Sequence, residues 1–376
     1  MRLVDPDTPG EQEPALRAAS STSDVLRSDV VELASGIDAL YVSGHAEVPP
    51  ALLERLEEAR AASMVAGGPI HIKFSGEHVR INPRAFLKYK YWLSHAYGEI
   101  GVSPSGSMPP IRFQPKAEYL HAVTPWVAMQ WFLDFMQREV GPMMMKASRL
   151  DVFVDVQGWT LDGDDRHRFV SRAKEVTTHE DGTAFSGFEF GRRKTNTVML
   201  RIYDKTVHMQ KEGLGQWLEI WGEKFNPEDR VLRVEFEINR TGLSEFGVET
   251  PFDAIEMAPG IFKGLARDWI SLRVPTSDAT RSRWPIDPAW KVIMQPTFTA
   301  KAFGIKRIYG ARRQGELGRL LPQLRGFVTS VAAIEGGLPL PAALKRVERL
   351  IRDAESKGSE SFESRTSRKT ARWELP

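Results

Sequence analysis

The segment VMLRIYDK sets Tyr203 between Arg201 and Lys205 at two-residue steps. In a strand all three side chains share one face, spaced about 7 Å apart. A tyrosine phenolate is a nucleophile toward phosphorus, and flanking cations lower the phenol's pKa and contact phosphate oxygens. Two further segments carry acids in the same alternating pattern. RLDVFVDV turns Arg149, Asp151, Phe153 and Asp155 one way, and VLRVEFEINR turns Arg233, Glu235, Glu237 and Asn239 one way. Neighbouring strands lie about 4.8 Å apart, so Glu235 or Glu237 can meet Asp151 or Asp155 across a sheet. Asp151 and Asp155, roughly 13 Å apart along one strand, cannot both ligate one ion directly. Asp151 with Glu235 is the preferred pair. The chain has no cysteine, so a metal would be held by oxygen or imidazole, which points to Mg²⁺ or Mn²⁺. Such a set suits transesterification of a phosphodiester, in which a covalent phosphotyrosine conserves the bond energy for rejoining.

Other residues extend this reading. The turn Gly191-Arg192-Arg193-Lys194-Thr195 precedes the Tyr203 strand and offers three cations as a phosphate clamp. Its spacing is not that of a nucleotide-binding loop. Between Thr299 and Ser330 seven basic residues, among them Lys306, Arg307, Arg312 and Arg313, stand against the single acid Glu316, a run suited to a polyanion. Tyr309 in that run is the reserve nucleophile. His208 could accept a proton or ligate a metal, whereas His71, His167 and His179 form no metal motif. The plain alternative for each charged residue is a solvated sheet or helix face with ordinary cross-strand pairs. Three consecutive segments repeating one scheme around one tyrosine weigh against it.

These residues need a sheet to position them. The apolar faces Leu150/Val152/Val154/Val156, Val198/Leu200/Ile202 and Leu232/Val234/Phe236/Ile238 predict three antiparallel strands with helices behind them. The opposite face is expected to form an exposed charged platform. Upstream, VVELASGIDALYVS reads as a strand and ALLERLEEARAASM as a helix opened by Pro49-Pro50. Residues 69–82 read as a hairpin turning at Ser75-Gly76-Glu77, and residues 125–140 as a helix with Val127, Trp131 and Phe135 at helical spacing. The fold class expected is α+β: a central antiparallel sheet with helices packed on one face, then a mainly helical C-terminal unit. Residues 1–28 read as a disordered leader, 29–250 as the catalytic domain, 251–354 as the helical DNA-binding unit and 355–376 as a disordered tail. Apolar content of 41% over 376 residues supplies a core, and no apolar run is long enough for a membrane span. With no signal-like start either, a soluble cytoplasmic protein is expected.

The order RLDVFVD, FGRRKTNTVMLRIYDK, VLRVEFEI resembles the Rep_trans replication initiation factors, which include rolling-circle initiators of plasmids and phages and related relaxases of mobile elements. The resemblance is strongest over residues 149–240. Two departures stand out: FEFG at residues 188–191 lacks an aromatic hydroxyl that some relatives carry, and the turn reads GRRKT where many read GSRxS. The resemblance implies that Tyr203 is the nucleophile, Asp151 and Glu235 active-site acids, and Arg201 and Lys205 phosphate contacts. It further implies a rolling-circle initiator that nicks one strand of origin DNA, single-stranded or hairpin with a double-stranded flank, and stays on the 5′ phosphate. A host helicase and a homodimer are expected partners. The alternatives are a relaxase for mobilisation and a non-catalytic DNA-binding regulator.

Overall fold

The computed structural model describes residues 29–299, 301–357 and 361–370. The expected leader lies outside them. Thirteen strands occur in the described chain: β1 (Val31–His45), β2 (Ile70–Phe74), β3 (Glu77–Ile81), β4 (Tyr91–Ser94), β5 (Gly98–Val102), β6 (Ile111–Pro115), β7 (Met144–Gln157), β8 (Phe169–Ser171), β9 (Val176–Asp181), β10 (Ala184–Phe190), β11 (Val198–Asp204), β12 (Leu232–Asn239) and β13 (Ile270–Leu272). The α-helices are α1 (Pro50–Val65), α2 (Ala117–Val123), α3 (Pro125–Val140), α4 (Lys205–Glu212), α5 (Gln216–Trp221), α6 (Arg240–Glu245), α7 (Pro251–Gly264), α8 (Pro288–Ile293), α9 (Ile305–Ile334), α10 (Leu340–Lys357) and α11 (Phe362–Thr370). This is the expected α+β class, with a large antiparallel sheet and a helical C-terminal region. The tail, expected without order, instead carries α11. No described helix is long and apolar enough to cross a membrane.

Local chemistry explains the elements. Pro125 opens α3 behind Thr124, whose side chain accepts from the Val127 amide, and α7 starts on a capping box of Thr250 and Asp253. The β2–β3 hairpin turns through Ser75 and Gly76, both at positive φ, which lets the strands keep their twist.

Eleven strands form one sheet in the order β2-β3-β4-β5-β6-β1-β7-β12-β11-β10-β9. The order contains a repeat. In each half a first strand, β1 or β7, is followed by an antiparallel meander whose last strand, β6 or β12, returns beside it. The two first strands pair antiparallel along nearly their whole length and form the seam. Behind the sheet α7 lies across β1 and β7, and α3 contacts α7. There Leu150, Val152, Val154, Leu200, Val234 and Phe236 are buried in the main core.

The other face is not the open platform expected of it. Helices α2, α4 and α5 and the start of α9 close over one end, where Phe153, Trp217, Trp221 and Ile308 make a second, smaller core. With the main core behind it, seven of the eight residues of β12 are buried. The remaining space is a cleft of about 1010 Å³ that crosses the seam. Gly187 of β10, paired with Tyr203, faces it. Its positive φ and the Ile202 carbonyl oxygen leave no room for a Cβ. Gly187→Ala should therefore push β10 off β11 and cost about 1–3 kcal/mol, read as a lowered urea midpoint with unchanged slope.

Candidate active site

Register decides which charges meet. Antiparallel pairing sets Glu237 opposite Asp151 and Arg233 opposite Asp155, then Arg201 opposite Glu235 and Tyr203 opposite Arg233. Two separate networks follow, one at each end of Tyr203.

Toward the covered end, Arg233 has no exposed surface. Its guanidinium makes two hydrogen bonds of 2.7 and 2.8 Å to Asp155 and one of 2.8 Å to Asp38. The plane lies 4.0 Å from the ring centroids of both Phe153 and Trp217. Trp221 Nε1 donates to the second Asp155 oxygen at 2.8 Å. Burial works against charge on Asp38, but Arg233 holds its carboxyl well below the usual range. Two expectations fail here. Arg233 cannot contact DNA, and Asp155 is no metal ligand, because both are fully buried and their hydrogen bonds are taken by each other, Asp38 and Trp221.

Toward the open end lie the remaining acids. Tyr203, half-buried, donates its hydroxyl to Glu235 Oε2 at 3.0 Å. Glu235 Oε1 accepts from Arg201 Nη2 at 2.5 Å. Asp151 accepts two bonds from Arg149, at 2.7 and 2.5 Å. Glu237 takes Arg193 on both oxygens, at 2.9 Å each, and Arg149 at 2.9 Å. Burial pushes the Asp151 carboxyl up to about 7, with Glu235 and Glu237 adding to the push against Arg149. Burial likewise opposes charge on Glu237, yet Arg193 and Arg149 keep it below the ordinary value.

The flanking cations do not activate the phenol as expected. Burial, and after it the Glu235 charge, raise Tyr203 well above its ordinary value, and the cation that opposes them is Arg233. The phenol is therefore neutral at neutral pH, with Glu235 placed to take its proton. Lys205 is the first residue of α4 and not a strand residue; its ammonium lies 4.5 Å from the centroid of Trp217 and 5.8 Å from that of Tyr203. Burial and Arg233 lower it to about 8. His208 packs edge-on to Tyr203, with centroids 5.6 Å apart, and both line the cleft.

A divalent ion between Asp151 and Glu235 does not fit this arrangement. Every oxygen of Asp151, Glu235 and Glu237 already accepts from a guanidinium or from Tyr203. Three acids face three arginines, Arg149, Arg193 and Arg201. An ion entering here would have to displace those donors from the carboxylates it binds. Among the described residues, no group of three or more His, Asp or Glu side chains is disposed to hold a metal.

The other predicted DNA contacts divide. Arg192 pairs with Glu175, Arg193 reaches into the acid cluster, and Lys194 is exposed at the turn. In the basic run, Arg307 pairs with Glu219 of α5 and Arg312 with Glu118 of α2. These two arginines clamp α9 to the body of the protein. Lys306 and Arg313 are exposed. Tyr309 lies within α9, and its side chain is outside the described residues. His167 is exposed away from the cleft, whereas His179 lines it. Sequence reading missed Asp38, Trp217, Trp221 and Tyr41, whose ring centroid lies 5.0 Å from the Arg149 guanidinium; of these only Asp38 carried a signal, as one of two acids, with Glu32, in a largely apolar strand.

No family model matches the chain, and no curated protein matches it. Among solved structures it is similar to the rolling circle replication initiator protein from Geobacillus stearothermophilus. That match has a TM-score of 0.41 and 16% identity, covering 71% of this chain and 98% of that one.

Two outcomes are expected from this geometry. Arg233→Ala should cost about 3–5 kcal/mol, because Asp155 is left charged and unpaired in the interior; Arg233→Met with Asp155→Leu should recover most of it in denaturant melts. Lys205 has a lowered folded-state pKa, so the unfolded chain binds more protons between about pH 8 and 10.5 and stability rises with pH there. From pH 8 to 9.5 that gain should approach about 1–2 kcal/mol and be absent in Lys205→Met, as measured by urea unfolding at both values.

Proposed function

We propose that this chain is a rolling-circle replication initiator that cuts and rejoins one DNA strand through Tyr203. The observation that carries the reading is the Tyr203 hydroxyl, 3.0 Å from Glu235, at the wall of a cleft of about 1010 Å³. The phenol oxygen attacks the phosphorus as its proton passes to Glu235 Oε2. The P–O3′ bond breaks, a 5′-phosphotyrosine forms, and the departing 3′ oxygen takes a proton. Lys205 lines the same cleft, and its ammonium, brought to about 8, is suited to give that proton. Reversal by a 3′ hydroxyl reseals the strand without ATP.

Charge around the phosphate comes from the protein. Arg201 and Lys205 border the nucleophile, and Arg192 and Lys194 extend the positive surface along the β10–β11 turn. The raised phenol value supports a mechanism in which the base is built in, since little phenolate exists before DNA arrives.

Incubation with single-stranded DNA spanning the chain's own gene and its flanks should yield a protein–DNA adduct stable in denaturant. Tyr203→Phe should give none while DNA affinity stays within about threefold, because several phosphate contacts remain. Glu235→Gln should slow adduct formation by about 10²–10⁴-fold. An adduct from the phenylalanine variant, mapped to any other residue, would remove the assignment.

A further inference from the structure

One guanidinium nitrogen stands where an ion shared by the three acids would stand. Arg201 Nη2 lies 2.5 Å from Glu235, 3.4 Å from Asp151 and 3.6 Å from Glu237. Those acids are 2%, 2% and 7% exposed, and they come from β12 and β7 while the arginine comes from β11. Arg149 crosses to Asp151 and Glu237 from the β7 side, and Arg193 caps Glu237 from the β10–β11 turn. Three carboxyl groups therefore meet three guanidinium groups, five of the six delivered by strand register and Arg193 by the turn.

The arginine also reaches the reacting group. It grips Glu235 by the oxygen opposite the one that takes the Tyr203 proton, so it sets the orientation of that carboxylate. Its Nε is buried with no hydrogen-bond partner among the described residues, which leaves one donor of the site uncommitted. A guanidinium offers fixed positive charge and forked donors of the kind that recognise phosphate.

We infer that in this chain Arg201 does the electrostatic work of a divalent cation, so that Tyr203 forms its DNA adduct without bound metal. The inference rests on the strand-transfer reading above. It changes no bond in that scheme; P–O3′ is exchanged for P–O(Tyr), and the proton goes to Glu235 as before. Arg201 fixes the base and neutralises charge at the phosphate, and it is neither oxidised nor reduced.

The full chain is incubated with the same single-stranded DNA in excess EDTA and, separately, in Mg²⁺ or Mn²⁺. We expect adduct yields in EDTA and in metal to agree within about threefold. Adduct in metal alone overturns the inference and leaves strand transfer standing, whereas adduct in neither condition removes both. A second readout does not use activity: Mn²⁺ is titrated against the protein and the free ion followed by electron paramagnetic resonance. Wild type should retain no stoichiometric ion, and Arg201→Ala, with three acids facing two arginines, should acquire a site. Tight Mn²⁺ binding by wild type would overturn the inference even if the variant failed to fold.

Discussion

The ion pair of Arg233 and Asp155 is the constraint on which the rest of the site depends. Both groups are fully buried, and a charge so placed persists only when its hydrogen bonds are met in full. Asp38 of β1 and Trp221 of α5 meet them, and the rings of Phe153 and Trp217 cover the guanidinium from β7 and α5. A slip of β12 by one residue would swing Arg233 to the apolar face and separate it from every partner. The pair therefore locks the register of β12 between β7 and β11, and that register places Glu235 under the Tyr203 hydroxyl.

The two ends of Tyr203 divide labour. At the covered end one arginine binds two acids, Asp155 and Asp38, and aromatic rings shield it, an arrangement that specifies structure. At the open end three acids and three arginines share bonds, and Asp151 remains hard to ionise. A network of that kind can rearrange when phosphate arrives, because Arg149 and Arg201 each have alternative partners. Helix α9 encloses the covered end: Gly315 packs so closely on Gly213 and Gly215 that a Cβ would meet the Gly215 nitrogen at 2.5 Å.

Much of this was legible in the sequence because strand alternation is a local property. The three site strands, the β2–β3 hairpin, α1 and α3 stand where the patterning predicts. The meeting of Asp151, Glu235 and Tyr203 follows from alternation plus antiparallel pairing. What alternation cannot report is what covers a face. Arg233 and Asp155 read as surface charges, since α9 lies far along the chain and nothing in the α5 sequence marks it as a lid. Asp38 escaped for a similar reason: it sits at a register shift in β1, and its partner is 195 residues away. Strands β4 and β5 were missed because both are short and β5 contains Gly98 and Gly101, whose missing side chains make room for the Gln114 backbone and the Tyr89 ring.

The repeat in the sheet gives the two halves unequal selective burdens. On β6, beside the seam, the first half carries Arg112 and Gln114, where β12 of the second carries Arg233, Glu235 and Glu237. Among the described residues, the only sheet ladder joining them is β1 with β7. Homologous chains should accordingly drift faster through β2–β5 than through β11 and β12, with the β1 residues facing the seam holding their size and little else.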